Sequence, residues 1–248
     1  MTMMLRKGCY VARFAQSDAD VIAAQRLRYL CFVTGAGNGA GRSDGLDCDL
    51  FDADCLHMLV EDAGGRLVAC FRLLHLESAA RIGQTYAAQF YDLTALQAFV
   101  GPIVEMGRFC VHPDLRDPDV LRIAWGAITR FVDQAGVRLL FGCASFAGTD
   151  ASVYAASFSQ LRAAHLAPPL WRPSVKSTEV VQFPTGSFDP GLALQRMPPL
   201  LRTYLGMGGW VSDHAVVDAA MNTLHVFTGV EIAAIPAARA RALRTVAA

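Results

Sequence analysis

Residues 104–122 read Val-Glu-Met-Gly-Arg-Phe-Cys-Val-His-Pro-Asp-Leu-Arg-Asp-Pro-Asp-Val-Leu-Arg, and this stretch decides the fold. Ile103 and Val104 open an apolar strand that Phe109 and Val111 continue and Pro113 stops. At Asp117-Pro118 the chain restarts as a helix, because Asp caps a helix start and Pro suits the first helical position. Leu121, Ala124, Ile128 and Phe131 then recur at helical spacing and predict one face laid on a core. A strand whose turn feeds a helix start is where α/β proteins hold ligands. Glu105 sits inside that strand, and a carboxylate so placed is either paired or working.

Outward from this unit, Gly136 ends the helix and Val137–Phe146 reads as a buried strand of a mixed or parallel sheet. A helix over about Thr149–Ala164 follows, and strand-helix-strand gives a right-handed crossover. Upstream, 9–14 is a strand and 17–32 a helix capped by Ser17, with Asp20 completing a capping box. His57–Glu61 and Arg66–Leu74 pair around Asp62-Ala-Gly-Gly as a hairpin, with His57 a packed structural side chain. Residues 84–100 are expected to be helical, with Phe90, Leu93, Leu96 and Phe99 on related faces. Downstream, 180–183, 215–218 and 222–230 are strand material, 198–205 is a short helix starting on Pro, and the last dozen residues form an Ala/Arg helix.

The 248 residues are 53% hydrophobic and 18% charged with zero net charge. That composition supports a sizeable core and argues against a nucleic-acid binder. The seven cysteines include no Cys-x-x-Cys, so reduced thiols are expected rather than a disulfide or zinc framework. No signal peptide is visible, and the longest charge-free runs, about a dozen residues, fall short of the roughly 20 that span a bilayer. A cytoplasmic protein of one domain over 1–248 is the expectation, with a core to about residue 170 and 171–248 completing the sheet.

Two polar features stand out. Residues 34–45 are glycine-rich but follow a helix, so they read as a flap rather than a phosphate loop. Asp44, Asp47, Asp49, Asp52 and Asp54 then crowd together. They offer a site for a cationic substrate or partners for Arg72, which interrupts an apolar strand and must be paired if buried.

The element order, with Val111-His-Pro-Asp-Leu-Arg116 between strand and helix, resembles the GNAT acyltransferase fold. That implies an α+β (α/β/α) sandwich with a mixed central sheet flanked by helices and a C-terminal extension. Arg28-Tyr-Leu-Cys-Phe32, Asp49-Leu-Phe-Asp52, Phe71-Arg72-Leu73 and Glu105-Met-Gly-Arg-Phe109 are similar to the signature of acyl-homoserine-lactone synthases. Phe51-Asp-Ala-Asp-Cys-Leu-His57, Phe141-Gly-Cys-Ala-Ser-Phe146, Met197-Pro-Pro-Leu-Leu-Arg-Thr-Tyr204 and Val217-Asp-Ala-Ala-Met-Asn-Thr-Leu-His-Val226 look closer to bacterial L-ornithine Nα-acyltransferases, over roughly residues 8–235.

That resemblance implies transfer of a 3-hydroxyacyl chain from acyl carrier protein to the α-amine of ornithine, giving lyso-ornithine lipid. No permanent cofactor and no metal are implied; the carrier's acyl-phosphopantetheine is a co-substrate. Glu105, matching the family's strand glutamate, is the expected base, directly or through a water; its rival reading is an ion pair with Arg72 or Arg108. Arg108 and Tyr154 complete the catalytic candidates, Tyr154 as proton donor to the departing thiolate or as core. Arg28, Phe32, Asp49, Asp52, Arg72, Phe109, Cys110, Val111 and Ser145 are substrate-binding candidates, with Asp49 and Asp52 binding an ammonium or bracing Arg28 and Arg72. Strand amides at Phe109–Val111 would hold the oxyanion if the strand is bulged. Cys110, with His112 two residues on, reads as a buried inert thiol rather than a nucleophile.

The turn Arg116-Asp-Pro-Asp119 lacks the glycines with which coenzyme A users hold a diphosphate, and Pro118 has no amide hydrogen to offer. A carrier-protein donor is therefore expected, met by Arg116 and Arg122, with Arg130 and Arg162 as further basic candidates. Peripheral membrane contact is expected from an amphiphilic product. The alternatives are an acyl-homoserine-lactone synthase using S-adenosylmethionine and a silent lipid- or carrier-binding module.

Overall fold

In the computed structural model the described residues are 3–34 and 44–248; most of the glycine-rich flap lies outside them. The chain runs β1 (Met4–Lys7), β2 (Tyr10–Phe14), α1 (Asp18–Tyr29), β3 (Leu56–Glu61), β4 (Leu67–Leu76), β5 (Tyr91–Asp92), β6 (Ile103–Val111), α2 (Pro118–Gln134) and β7 (Leu139–Ala147). It continues through α3 (Ala155–Ala164), β8 (Ser174–Val175), β9 (Val180–Gln182), α4 (Pro190–Arg196), α5 (Pro199–Gly206), β10 (Trp210–Val211), β11 (His214–Asp218), β12 (Thr223–Glu231) and α6 (Ala237–Ala247). These elements divide between two compact units. The first holds the chain up to His75, Met106–Val137 and the C-terminal helix; the second holds Leu76–Glu105 and Arg138–Pro236.

In the first unit β1, β2, β3 and β4 are antiparallel neighbours. Leu59 and Cys70 pack with Cys110 of β6 against Ala24 and Leu27 of α1. Phe14 and His75 meet the Phe131 ring of α2 edge-on, so one helix covers each face. Ser17 caps α1 and Asp117 caps α2, with Pro118 at its start. The buried stripe of α2 is Val120, Ile123, Ala124, Ala127, Ile128 and Phe131, while Leu121 is exposed. The predicted stripe is thus right in period and one residue off at its first member. Arg130 ties the unit's ends together, donating to the carbonyls of Ala247 and Met4.

In the second unit the first residues of β6 run parallel to β7, in register Ile103↔Leu139, Val104↔Leu140 and Glu105↔Phe141. β7 is antiparallel to β12 along its whole length, and β11 and β9 follow. Ala144, Phe146, Leu224 and Val226 face Phe158, Leu161, Met197 and Leu201 of the helices. On the opposite face Phe141 stacks on Phe227, and Phe227 on Trp210. Trp210 lies so close to Gly229 that a Cβ there would sit 2.5 Å from the indole.

Residues 84–100 form no long helix. They make short 3₁₀ turns at Ala79–Gln84, Ala87–Gln89 and Thr94–Ala98 around the two-residue β5. The apolar residues recur every three positions, which matches three residues per turn, and Asp92 takes the Thr94 amide in a side-chain turn that competes with helix. β1 and α4 carry no sequence signal of comparable strength.

Tyr91 is buried and donates its hydroxyl to the His225 carbonyl at 2.8 Å, 3.2 Å from His225 Nδ1. Burial lowers the His225 pKa to about 4; Asp218 opposes this and His214 adds to it. A histidine whose folded pKa lies below its unfolded value contributes stability above about pH 6.5 that is lost as pH falls toward 4. Unfolding free energy, followed by urea titration, is expected to drop by about 3 kcal/mol over that window, and His225→Leu should remove most of that slope.

Candidate active site

The first unit gathers Arg28, Arg72 and Arg108 with Asp47, Asp49 and Asp52. Arg28 is 1% exposed; its Nε donates to Asp47 at 2.7 Å and its terminal nitrogens to Asp52 at 2.8 and 3.2 Å. Arg72 donates to both oxygens of Asp49 and to Asp52 at 2.5–2.8 Å. Arg108 pairs with Asp47 at 3.1 Å and Asp49 at 3.2 Å. Gln25 donates to Asp52 at 2.9 Å, and His57 Nε2 lies 2.9 Å from the Asp52 carbonyl. Asp49 also caps the 3₁₀ turn Leu50–Asp54 through the Phe51 amide. The acidic cluster thus braces the arginines, and three formal charges of each sign meet in one network.

The electrostatics follow from burial and pairing. Burial pushes the Asp52 carboxyl up, but hydrogen bonds and charge from Arg28, then Gln25 and Arg72, hold it well below the ordinary range. For Asp49 burial is likewise outweighed, here by Arg72 and Arg108. Arg72 is raised despite its burial by Asp49 and Asp52.

Arg108 has φ 54°, a left-handed backbone that costs a non-glycine residue about 1–2 kcal/mol. It marks a bulge. Cys110 packs with Cys70, and a Cβ at Gly107 would point at Arg72. Residues 107 and 110 therefore face one side of the strand, which regular alternation forbids. Phe109, one residue on, stacks against Phe71 at 5.4 Å.

Cys110 is buried, its sulfur 3.5 Å from that of Cys70. Thiol contacts with Cys31 and Cys70, together with burial, push its pKa well up. His112 instead faces Arg66 and Asp114. That environment suits an inert thiol. Cys31 donates to the Val111 carbonyl at 3.4 Å, and Phe32 packs beside it at the end of α1.

In the second unit Glu105 is 5% exposed. Its Oε2 accepts from the Tyr86 amide at 2.8 Å and its Oε1 from the Ala87 amide at 2.7 Å. Register places Phe141 beside it, and Cys143 and Ser145 follow on the same face, half-buried and exposed. Across the ladder stand Phe227 and His225. The rings of Tyr86, Phe90 and His225 form a line along this face, with spacings of 5.3 and 4.9 Å. Tyr154 donates its hydroxyl to the Ala147 carbonyl at 2.7 Å, and its ring meets Phe146 within the helix-side core. Its one proton is engaged there.

Of the basic candidates, Arg116 is exposed and Arg122 pairs with Asp119 on its own helix. Arg130 is spent on carbonyls, and Arg162 donates to Phe183 at 3.4 Å. The start of α2 is filled by its own residues: Asp117 accepts from Asp119 at 2.9 Å and from the Tyr10 hydroxyl at 2.8 Å. A cavity of about 390 Å³ in the second unit is lined by Ile82, Tyr91, Asp92, Gln97 and Lys176 among others, and by none of the site candidates. No three His, Cys, Asp or Glu among the described residues are arranged to hold a metal ion.

Sequence reasoning missed Asp47 and the Tyr86 and Ala87 amides. Asp47 stood within the acidic cluster and was readable as a third partner; a backbone amide leaves no mark in the sequence.

Comparison with known proteins places this geometry. Residues 27–126 match the acetyltransferase (GNAT) domain family. An L-ornithine N(α)-acyltransferase of Rhodobacter capsulatus is 37% identical over 88% of this chain and 88% of its own length. One of Brucella abortus is 30% identical over 90% of this chain and 84% of its own. Among solved structures, a CoA-dependent acyl-homoserine lactone synthase, BjaI, with SAM and isopentyl-CoA, superimposes with a TM-score of 0.50 at 16% identity, covering 91% of this chain and 80% of that one. The fold is the GNAT fold, α+β with a mixed sheet.

Removing one carboxylate from this buried network leaves three guanidiniums facing two acids, and breaking a buried pair costs roughly 3–5 kcal/mol. Asp52→Asn is expected to lower unfolding free energy by about 3 kcal/mol. Because Asp52 titrates below its unfolded value, its contribution is present above about pH 4 and lost as pH falls below it. Chemical denaturation of wild type and variant at neutral pH, then in acid, should show a difference that shrinks in acid.

Proposed function

Because the chain belongs to the L-ornithine N(α)-acyltransferase family, we propose that it moves a 3-hydroxyacyl chain from the phosphopantetheine of acyl carrier protein to the α-amine of L-ornithine, giving lyso-ornithine lipid. Glu105 carries this reading: an acid in a central strand, 5% exposed, with one backbone amide on each oxygen. The two amides orient the group. Ornithine's α-ammonium passes a proton to Glu105, directly or across one water, and the free amine attacks the thioester carbonyl. The tetrahedral oxyanion is assigned to strand amides at Phe109–Val111, beside the bulge at Arg108. Collapse breaks the carbon–sulfur bond and forms the amide as the nitrogen's second proton passes to the departing thiolate. A thiol pKa of about 8.5 lets the pantetheine leave as thiolate at neutral pH, so the step needs no proton from Tyr154.

The start of α2 supports a carrier-protein donor. A diphosphate there would meet Asp117 and Asp119, and the Asp119 amide is already bonded to the Asp117 side chain. A single-phosphate pantetheine arm has no such requirement. A peripheral membrane location follows from the product, which has a polar head and one fatty chain; no helix among the described residues is long and apolar enough to cross a bilayer.

Incubation with 3-hydroxyacyl carrier protein and L-ornithine, read by mass spectrometry, should yield Nα-acyl-ornithine. A lactone formed from S-adenosylmethionine, or no product with any amine, would overturn the reading. Glu105→Gln should lower kcat by about 10²–10⁴-fold, while Cys110→Ser should keep most activity. Loss of turnover in a folded cysteine variant would point to a covalent path instead. With acyl-CoA of the same chain in place of the carrier, kcat/KM is expected to fall by at least about tenfold; equal use of both donors would remove the argument from α2.

A further inference from the structure

The second unit carries a basic, acid-free stretch ending in exposed apolar tips. Between Asp150 and Glu179 there is no acidic residue, while Arg162, Arg172 and Lys176 lie in that interval. Residues 93–104 carry no charge at all. The two segments meet where the Trp171 ring packs edge-on against Phe99 at 5.2 Å. The Trp171 amide donates to the Pro168 carbonyl at 2.9 Å, closing a turn with Leu170 at its tip. Leu170 is 66% exposed, and Val100, next to Phe99, is 84% exposed. Val175 adds a third exposed apolar side chain. Arg138 lies along Gly101, where a Cβ would come within 2.6 Å of its Cγ, and is exposed. Lys176 is exposed as well, its ammonium donating to the Ala88 carbonyl at 2.5 Å beside Asp92, and Arg172 holds the turn by donating to the Ala167 carbonyl at 3.1 Å.

We propose that this surface docks the enzyme on an anionic phospholipid membrane. Val100 and Leu170 enter the headgroup boundary, Trp171 sits at its level, and Arg138, Arg172 and Lys176 face lipid phosphates. Exposed apolar tips gathered beside an interfacial tryptophan suit a fluid surface better than a fitted protein pocket. Tryptophan and arginine beside such tips prefer the membrane interface. Arg138, Arg172 and Lys176 outnumber Asp92, the exposed acid beside Lys176, so the surface attracts anionic lipid on balance. The docking gives an amphiphilic product a place to go, and in that purpose it rests on the acyl-ornithine reading; the binding itself does not.

Co-sedimentation of the full chain with vesicles of phosphatidylglycerol and phosphatidylcholine in equal parts tests this without turnover. Trp171 reports the contact, because the other two tryptophans, Trp125 and Trp210, are buried. Binding is expected with a blue shift in emission that Trp171→Phe abolishes, and weaker binding to pure phosphatidylcholine. The double variant Val100→Glu/Leu170→Glu should lower the partition coefficient at least about tenfold, and Arg138→Gln/Lys176→Gln about tenfold on the anionic vesicles only. All four positions are exposed, so circular dichroism should be unchanged. Absence of vesicle binding, or binding indifferent to Val100 and Leu170, would overturn the proposal. So would variants that spare vesicle binding but abolish self-association or binding of the acidic carrier protein. Acyl transfer in solution that survives such a result leaves the reaction intact and removes only the docking.

Discussion

Three guanidinium groups and three carboxylates, met in one place, set the geometry of the first unit. A buried cation is tolerated only where opposite charge and hydrogen bonds replace its lost hydration. Arg28 lies on α1, Arg72 on β4 and Arg108 on β6, so each needs an acid brought to a different element. One segment supplies all three: Asp47, Asp49 and Asp52. Apolar burial contributes little at its tip, where Leu50 is 93% exposed, while the Asp47 amide bonds the Gln25 carbonyl and His57 meets the Asp52 carbonyl. The ion pairs act with these bonds to fix it.

The same network explains the bulge. The left-handed backbone of Arg108 is unfavourable by about 1–2 kcal/mol, and a lysine-length or apolar side chain would offer little return. The guanidinium lies within ion-pair distance of Asp47 and Asp49 and hydrogen-bonds Asp49, and that charge attraction at a partly buried site offsets a cost of that size. The consequence runs along the strand: Cys110 joins the thiols on one face while Phe109 goes to Phe71 on the other. A local strain thus sets the side of the strand on which each motif residue emerges.

Acids in this protein divide by the partners that hold them. Asp49 and Asp52 are neutralised by arginine and kept ionised far into acid, which suits support and makes them poor proton acceptors. Glu105 instead takes a backbone amide on each carboxylate oxygen, from Tyr86 and from Ala87. This contrast was half legible in the sequence. Arg72 inside an apolar strand demanded an acid, and the aspartate cluster was the evident source. Asp117-Pro118 announced α2, and the β6–α2–β7 crossover followed from it. The partners of Glu105 were hidden, because residues 84–100 repeat their apolar side chains every third position and read as helix. In 3₁₀ geometry the same residues free the Tyr86 and Ala87 amides for the carboxylate. β1 was hidden for a different reason: only Leu5 of its four residues is buried, so Arg6 and Lys7 masked the strand.

The start of α2 extends this logic to the choice of donor. A helix N-terminus attracts anions because its first amides lack partners and its dipole is positive there. Here the chain brings its own anion, Asp117, which takes the Asp119 amide and a hydroxyl from Tyr10. Those bonds hold its carboxyl below the ordinary range, so it is ionised at neutral pH and competes with an incoming phosphate. A donor whose recognition depends on a diphosphate would have to displace that cap and sit beside Asp119 as well. A donor recognised through the protein that bears its pantetheine avoids the conflict, because its binding energy comes from elsewhere on the surface. On the proposed carrier-protein reading, the capping residue that starts the helix also biases which thioester is accepted.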